Sequence, residues 1–238
     1  MGTITHKAGR VAVGKAADVV IKNLDKDREK EILKLVDFME KYMDGEKLDV
    51  DFDGVRQKVS DKDSALNKYI NKALDEIDPN VLKTIVLNLG FEAFLNGTKT
   101  IRKMREKYNC NVPWLILMDP TSACNLHCTG CWAAEYGNKL NLTFDEMDSV
   151  VTQGKELGIY LYMFTGGEPL VRKSDIIKLC EKHNDCAFLS FTNGTLVDEA
   201  FCEDMKRVGN LYLAISLEGF EAVNDLRRGD GVYGKVMH

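Results

Sequence analysis

Three cysteines fall within eight residues, in Cys124-Asn-Leu-His-Cys128-Thr-Gly-Cys131. The spacing is C-x3-C-x2-C, close enough for three thiolates to reach one compact centre. Thiolates select soft metals and iron–sulfur clusters. A four-iron cluster offers four irons, so three cysteines leave one iron open to a substrate or cofactor, much as an open position marks a catalytic zinc site. Zinc is the competing reading. It wants a fourth ligand, which His127 or Cys110 could supply. Yet His127 lies inside the tight loop between two of the cysteines, and structural zinc usually pairs C-x2-C with a second pair at a distance. A disulfide would leave one cysteine over. Three structural thiols without a ligand are the plain alternative, and the spacing alone favours a cluster.

Further short motifs follow downstream. They are Thr165-Gly166-Gly167-Glu168-Pro169, Thr192-Asn193-Gly194, Ser216-Leu217-Glu218-Gly219 and Asp225-Leu226-Arg227-Arg228-Gly229. Paired glycines let a ligand approach the backbone. A carboxylate beside them suits an amino group, and guanidinium forks suit a carboxylate. Each motif taken singly is a turn. Together with the cysteines they suit a zwitterionic, amino-acid-like ligand beside a metal cluster.

These motifs need strand ends to hold them. Four apolar runs, at 114–118, 160–164, 187–191 and 211–217, are rich in Ile, Leu, Phe and Tyr with little alternation, as strands covered on both faces should be. Between them lie helical segments. Thr143 with Glu146 forms a capping box and Gly158 ends that helix, while 173–183 and 198–207 are the next two, the second ended by Gly209. Strand–helix repeats of this kind imply a parallel sheet with right-handed crossovers. In such folds the ligand site lies at the C-terminal ends of the strands, where every motif above falls.

The first part of the chain reads differently. Residues 1–110 carry 21 Lys/Arg and 19 Asp/Glu, a net of +2, whereas residues 111–238 carry 11 and 18, a net of −7. Six of the seven cysteines lie in the second part. The shift divides the chain near 109–113 into a mainly α-helical region, 1–110, and an α/β region, 111–238. Helical spacing runs through Val13, Ala17, Val20, Ile21 and Leu24, then through 31–43 with Asp44-Gly45 as its end. Asp61 is a candidate cap for a helix through Leu66, Ile70, Leu74 and Ile77. Asp78-Pro79 opens another that runs towards Asn96-Gly97. No motif here carries chemistry. A packing or lid domain is the plain reading, and a membrane-associated first helix is the sharper one.

Composition excludes several classes. A hydrophobic fraction of 45% and a charged fraction of 29% fit a globular chain with a real core. Neither part is basic enough for nucleic-acid binding as the main business. No stretch reads as a transmembrane segment or secretory signal, which leaves the cytoplasm as the expected location. Cys180, Cys186 and Cys202 match no ligand spacing and read as structural thiols. His6, His127, His183 and His238 are scattered, with no partner that suggests acid–base work.

The cysteine motif and its downstream companions resemble the radical S-adenosylmethionine (radical SAM) superfamily, over roughly residues 112–238. The matching pieces are Cys124-x3-Cys128-x2-Cys131, Gly166-Gly167-Glu168-Pro169, Thr192-Asn193-Gly194, Ser216 and Asp225-x-x-Arg228-Gly229. The resemblance implies a partial TIM-like (β/α) barrel, with about four βα units of a (β/α)6 partial barrel present and the rest beyond a truncated end. It implies that Cys124, Cys128 and Cys131 hold a [4Fe–4S] cluster whose open iron is chelated by the amino and carboxylate groups of SAM. Gly166, Gly167 and Glu168 would border the SAM amino group. Ser216 and Arg228 would contact its carboxylate or ribose, with Thr192 and Asn193 nearby. An electron from the reduced cluster would cleave SAM to methionine and a 5′-deoxyadenosyl radical, which abstracts hydrogen from a substrate. An electron donor such as flavodoxin or ferredoxin is implied, and the outcome is oxidoreductase or transferase chemistry.

The residue before the third cysteine is often aromatic in this family. Here it is Gly130, and Trp132 is the candidate replacement. No residue is assigned to chemistry on the substrate, which could be a small molecule, a peptide or a lipid. The other class of function to weigh is a non-catalytic iron–sulfur or zinc-binding module or fragment.

Overall fold

The computed structural model describes residues 2–23, 27–43, 50–133, 137 and 139–238. The chain forms two compact units, Met1–Leu87 and Asn88–His238.

The first unit is helical. It contains α1 (Gly2–Asn23), α2 (Arg28–Met43), α3 (Phe52–Ser60), α4 (Ala65–Glu76) and α5 (Pro79–Thr84). Val13, Ala17 and Val20 of α1 are buried, so this face of the first helix packs on protein rather than waiting for a membrane. Leu24 and the expected stop at Asp44-Gly45 lie outside the described residues. Asp51 caps α3 by accepting from the amide of Gly54 at 2.8 Å. Asp61 does not open α4. It terminates α3, and Ser64 caps α4 by accepting from the amide of Asn67 at 3.0 Å. Two capping residues three apart compete here, and the one nearer the apolar periodicity wins. Asp78 and Pro79 open α5 as the sequence implies.

A π-helical stretch follows (Ile85–Gly97), then α6 (Thr98–Tyr108). Asn96-Gly97 does not end the helix. Gly97 keeps right-handed dihedrals, φ −61° and ψ −46°. Its glycine serves a close approach instead, since an added Cβ would lie 2.4 Å from the carbonyl oxygen of Gly158. The helix ends at Asn109, with a left-handed φ of 49°. Ala93, Ile101 and Val112 join the core of the second unit. The composition change at 109–113 therefore falls within that unit, and residues 88–110 pack with the sheet.

Strands β1 (Leu115–Met118), β2 (Leu161–Phe164), β3 (Ala187–Thr192) and β4 (Leu211–Ile215) form one parallel sheet in the order β1-β2-β3-β4. The crossovers are α7 (Phe144–Glu156), α8 (Lys173–Lys182) and α9 (Glu199–Val208), with α10 (Glu221–Arg228) and α11 (Val232–Met237) after β4. One face of the sheet meets these helices. Tyr162, Phe164 and Phe188 are fully buried there with Met147, Ile176 and Leu179, and the Phe164 and Phe188 rings stack 5.7 Å apart. The other face is more open among the described residues. Leu117, Met163 and Leu189 share it by register, with Phe191 two residues on, and Leu117 and Phe191 are exposed. The apolar runs were expected to be covered on both faces, and here one cover is supplied.

The capping box on α7 forms as the sequence implies. Thr143 Oγ1 accepts from the amide of Glu146 at 3.2 Å, and the Glu146 carboxylate accepts from the Thr143 amide at 2.7 Å. That amide holds the Glu146 carboxyl below the usual range. Thr143→Ala is expected to cost about 1 kcal/mol of unfolding free energy in urea denaturation, with the secondary structure unchanged. An unchanged midpoint would show that the cap is idle.

Candidate functional site

Each strand hands the chain to a loop at its C-terminal end, and these loops meet. Cys124, Cys128 and Cys131 line a cavity of about 170 Å³ together with Gly166, Gly167, Glu168, Thr192, Asn193, Ser216 and Arg228. All ten residues to which the resemblance assigns cluster or SAM contact thus border one space. Trp132, Thr165, Phe191 and Arg227 complete its wall. A neighbouring cavity of about 410 Å³ shares Trp132, Gly166 and Gly167 with it and adds Asp119 from the end of β1. Partial burial pushes the Asp119 carboxyl above its ordinary range.

The glycine pair makes room for the chain itself. The Gly167 amide donates to Thr121 O at 2.9 Å, and the Glu168 amide donates to Ala123 O at 2.8 Å. An added Cβ at Gly167 would lie 2.2 Å from Ala123 O. At Gly166, whose φ is +106°, it would lie 2.7 Å from Thr121 O. The two glycines therefore dock the loop after β2 against the backbone that leads into the cysteines. Gly167→Ala is expected to destabilise the protein by at least about 2 kcal/mol and to lower iron incorporation in parallel. Wild-type stability with normal iron content would contradict this account of the contact.

Glu168 is 1% exposed, and its carboxylate accepts three hydrogen bonds. The donors are the Leu170 amide at 3.0 Å, Thr192 Oγ1 at 2.7 Å and the Asn193 amide at 2.8 Å. One side chain thus ties the β2 loop to the β3 loop. The Asn193 side-chain amide donates to Asn125 Oδ1 at 2.9 Å, and Asn125 donates to Thr195 Oγ1 at 2.8 Å, which fastens the cysteine loop to the β3 loop. The Thr129 amide donates to Arg227 O at 2.7 Å, fastening the same loop to α10.

Arg228 lies on α10 rather than in a turn, and its side chain is 13% exposed. Its Nη2 donates to Glu218, which also receives Arg227, and Arg228 holds the Glu218 carboxyl below the usual range. The buried Nε of Arg228 has no partner. A buried donor without a partner calls for an acceptor, and Arg228 borders the cavity where one could bind.

The three thiols differ in setting. Burial pushes the Cys124 thiol up, opposed by the Leu126 amide at 3.4 Å from Sγ, with nearby Glu168, Cys128 and Cys131 adding to the rise. Among the described residues no group of three or more His, Cys, Asp or Glu side chains is gathered to hold a single metal ion. A four-iron centre gives each thiolate its own iron, so its ligands ring an opening rather than converge on a point. His127 borders a different space, of about 180 Å³, on the other flank of the same three cysteines. Cys180 and Cys186 are buried with thiols pushed up by burial, the setting of inert structural cysteines, and all seven cysteines are free. Gly130 has a left-handed φ of 70°, which a large side chain would strain, whereas Trp132 borders both adjoining cavities.

The radical SAM superfamily matches residues 118–237. The chain belongs to this superfamily. In radical SAM proteins the parallel strands form a partial TIM-like barrel, and β1–β4 are four of its βα units. The family's cofactors are a [4Fe–4S] cluster and SAM. Two curated radical SAM relatives illustrate the range. The Fe-coproporphyrin III synthase of Methanosarcina barkeri is 31% identical over 121 residues, 48% of this chain and 30% of that protein. The GTP 3′,8-cyclase of Desulforamulus reducens is 35% identical over 124 residues, 48% of this chain and 37% of that protein. The chain thus spans roughly a third of the length of these relatives. Among solved structures, Streptococcus suis SuiB bound to its precursor peptide SuiA aligns with 59% of this chain and 33% of its own, at a TM-score of 0.48 and 20% identity. No helix among the described residues is long and apolar enough to cross a membrane.

Several wall residues were not singled out from sequence. Thr165 and Arg227 were part of the quoted motifs but given no contact of their own, and Phe191 is the last apolar residue before Thr192. Asn125 carried none, since its role depends on where Asn193 and Thr195 fold.

Proposed function

We propose that the chain is the cluster- and SAM-binding part of a radical SAM enzyme. One observation carries the reading. The cysteine triad, the glycine pair with Glu168, Thr192, Asn193, Ser216 and Arg228 border one cavity at the C-terminal ends of four parallel strands. Cys124, Cys128 and Cys131 hold a [4Fe–4S] cluster in this reading, and the donor set fits a cluster with one iron left open. When bound, the reduced cluster supplies the electron that cleaves SAM to methionine and a 5′-deoxyadenosyl radical able to abstract hydrogen.

The protein's residues position and shield. Arg228, held by Glu218, supplies a guanidinium with a donor left over for the SAM carboxylate or ribose. Glu168 has three of its roughly four acceptor sites filled, which leaves one for an ammonium donor. Thr192 and Asn193 are fixed through Glu168, and Ser216 is fixed by its amide donating to Thr192 O at 2.9 Å. Trp132 and Phe191 are the large apolar side chains on the wall and offer a bound ligand an apolar surface. An electron donor such as flavodoxin or ferredoxin and a cytoplasmic location complete the proposal, consistent with seven free cysteines.

The test is anaerobic reconstitution with iron and sulfide, then strong reductant and SAM. The reading expects 5′-deoxyadenosine and methionine in equal amounts. A reconstituted, reduced protein that binds its cluster yet yields no 5′-deoxyadenosine would leave the non-catalytic module as the answer.

A further inference from the structure

The helical unit forms a second kind of space, an apolar pocket that is partly open to solvent. Every one of its five helices contributes to the lining of a cavity of about 410 Å³, including Ala17 of α1, Leu35 and Met39 of α2, Val59 of α3, Ile70 of α4 and Leu82 of α5. All the lining residues are aliphatic or methionine. The helices pack around this hollow in series. α1 meets α2 and α5, α2 meets α3, and α3 meets α4. Ion pairs brace it, Lys83 to Asp18 at 2.7 Å between α5 and α1, and Arg28 to Asp75 at 2.8 Å between α2 and α4.

We propose that this hollow is a receptor for one long aliphatic chain. A void of this size would deprive its lining of packing contacts, and helices free to move would close it. Its open apolar lining is left in contact with water, a cost that an apolar occupant would remove. The volume falls within the range of about 300–1,000 Å³ usual for small-molecule pockets. Among the described residues no donor, acceptor or charge lines the wall, which fits a hydrocarbon chain. Methionine among branched aliphatic residues suits a flexible, poorly specified shape. A linear acyl tail and an isoprenoid tail share this chemistry. The site lies within Met1–Leu87 and goes beyond the reading of the cysteine cavity, which it neither needs nor supports.

The experiment uses the full chain without a cluster, so its failure leaves the radical SAM reading untouched. Fluorescence of cis-parinaric acid reports binding, and 1-dodecanol and farnesol compete for it, separating linear from isoprenoid chains. The proposal expects saturable one-to-one binding, and Ala17→Phe or Met39→Phe is expected to weaken it by about tenfold or more, by filling the space. Dodecanol should also slow hydrogen exchange in α1–α5 and leave β1–β4 unchanged, which decides the matter if either variant fails to fold. Absence of saturable binding to the wild type would overturn the proposal. So would equal binding by both folded variants, or an exchange footprint outside the helical unit. A second copy or a rearranged helix filling the hollow would produce the first of these results.

Discussion

Replacing Cys128 with alanine is expected to abolish the cluster signal after anaerobic reconstitution and to bring SAM cleavage to background. Three thiolates are the whole ligand set proposed for the cluster, and all three border one cavity. Losing one strips a second iron of its protein ligand, and Cys110, which precedes β1 while the three cysteines follow its C-terminal end, is not among the residues that border the cavity. Cys180 and Cys186 are buried in the core, and Cys202 lies on α9. His127 borders the other flank of the cysteines. The same loss is expected for Cys124→Ala and Cys131→Ala. Cys202→Ala should retain full iron and sulfide content. Iron and acid-labile sulfide analysis with the optical spectrum measures this, and a Cys128→Ala protein with the full cluster signal would remove that ligand from the account.

Glu168→Ala is expected to act on stability and on SAM together. The carboxylate is buried and accepts from Leu170, Thr192 and Asn193. Hydrogen bonds to a charged group contribute about 1.5–3 kcal/mol each, and donors left unpaired in a buried site add their own penalty. The sum is not additive, and a loss of about 3–5 kcal/mol is the expected scale. For a chain of this size each kcal/mol moves the melting temperature by about 2–4 °C. The melting temperature should therefore fall by roughly 6–20 °C, with weaker SAM binding in the reconstituted protein. Loss of SAM affinity at wild-type stability would instead make Glu168 a ligand contact with no bracing role.

The strands were legible because their apolar runs sit between turn residues, and β1 to β4 appear where those runs fall. The capping box at Thr143 and Glu146 was legible because both partners are local. What failed to show depended on distant partners. Gly97 reads as a helix stop, yet it is a glycine because Gly158 comes within contact distance from elsewhere in the chain. Asp61 and Ser64 are both good caps, and Asp61 is taken up by the end of α3, where its amide donates to Gln57 O. The π-helical stretch has no local signature. The site shows the same division. Cys124, Cys128 and Cys131 announce themselves by type and spacing, and so do Gly166 and Gly167. That the glycines receive Thr121 and Ala123 of the chain's own backbone could not be read from their spacing. Arg228 was legible as a guanidinium but not as a helical residue pinned by Glu218.

The claim at the centre is that three cysteines leave one iron open and that SAM occupies it. The most direct measurement is the electron paramagnetic resonance spectrum of the reduced, reconstituted protein before and after SAM is added. The account predicts a [4Fe–4S] signal whose g values shift on addition of SAM, with the shift lost in Arg228→Ala at the same SAM concentration. A cluster signal that SAM leaves unchanged in the wild type would contradict it.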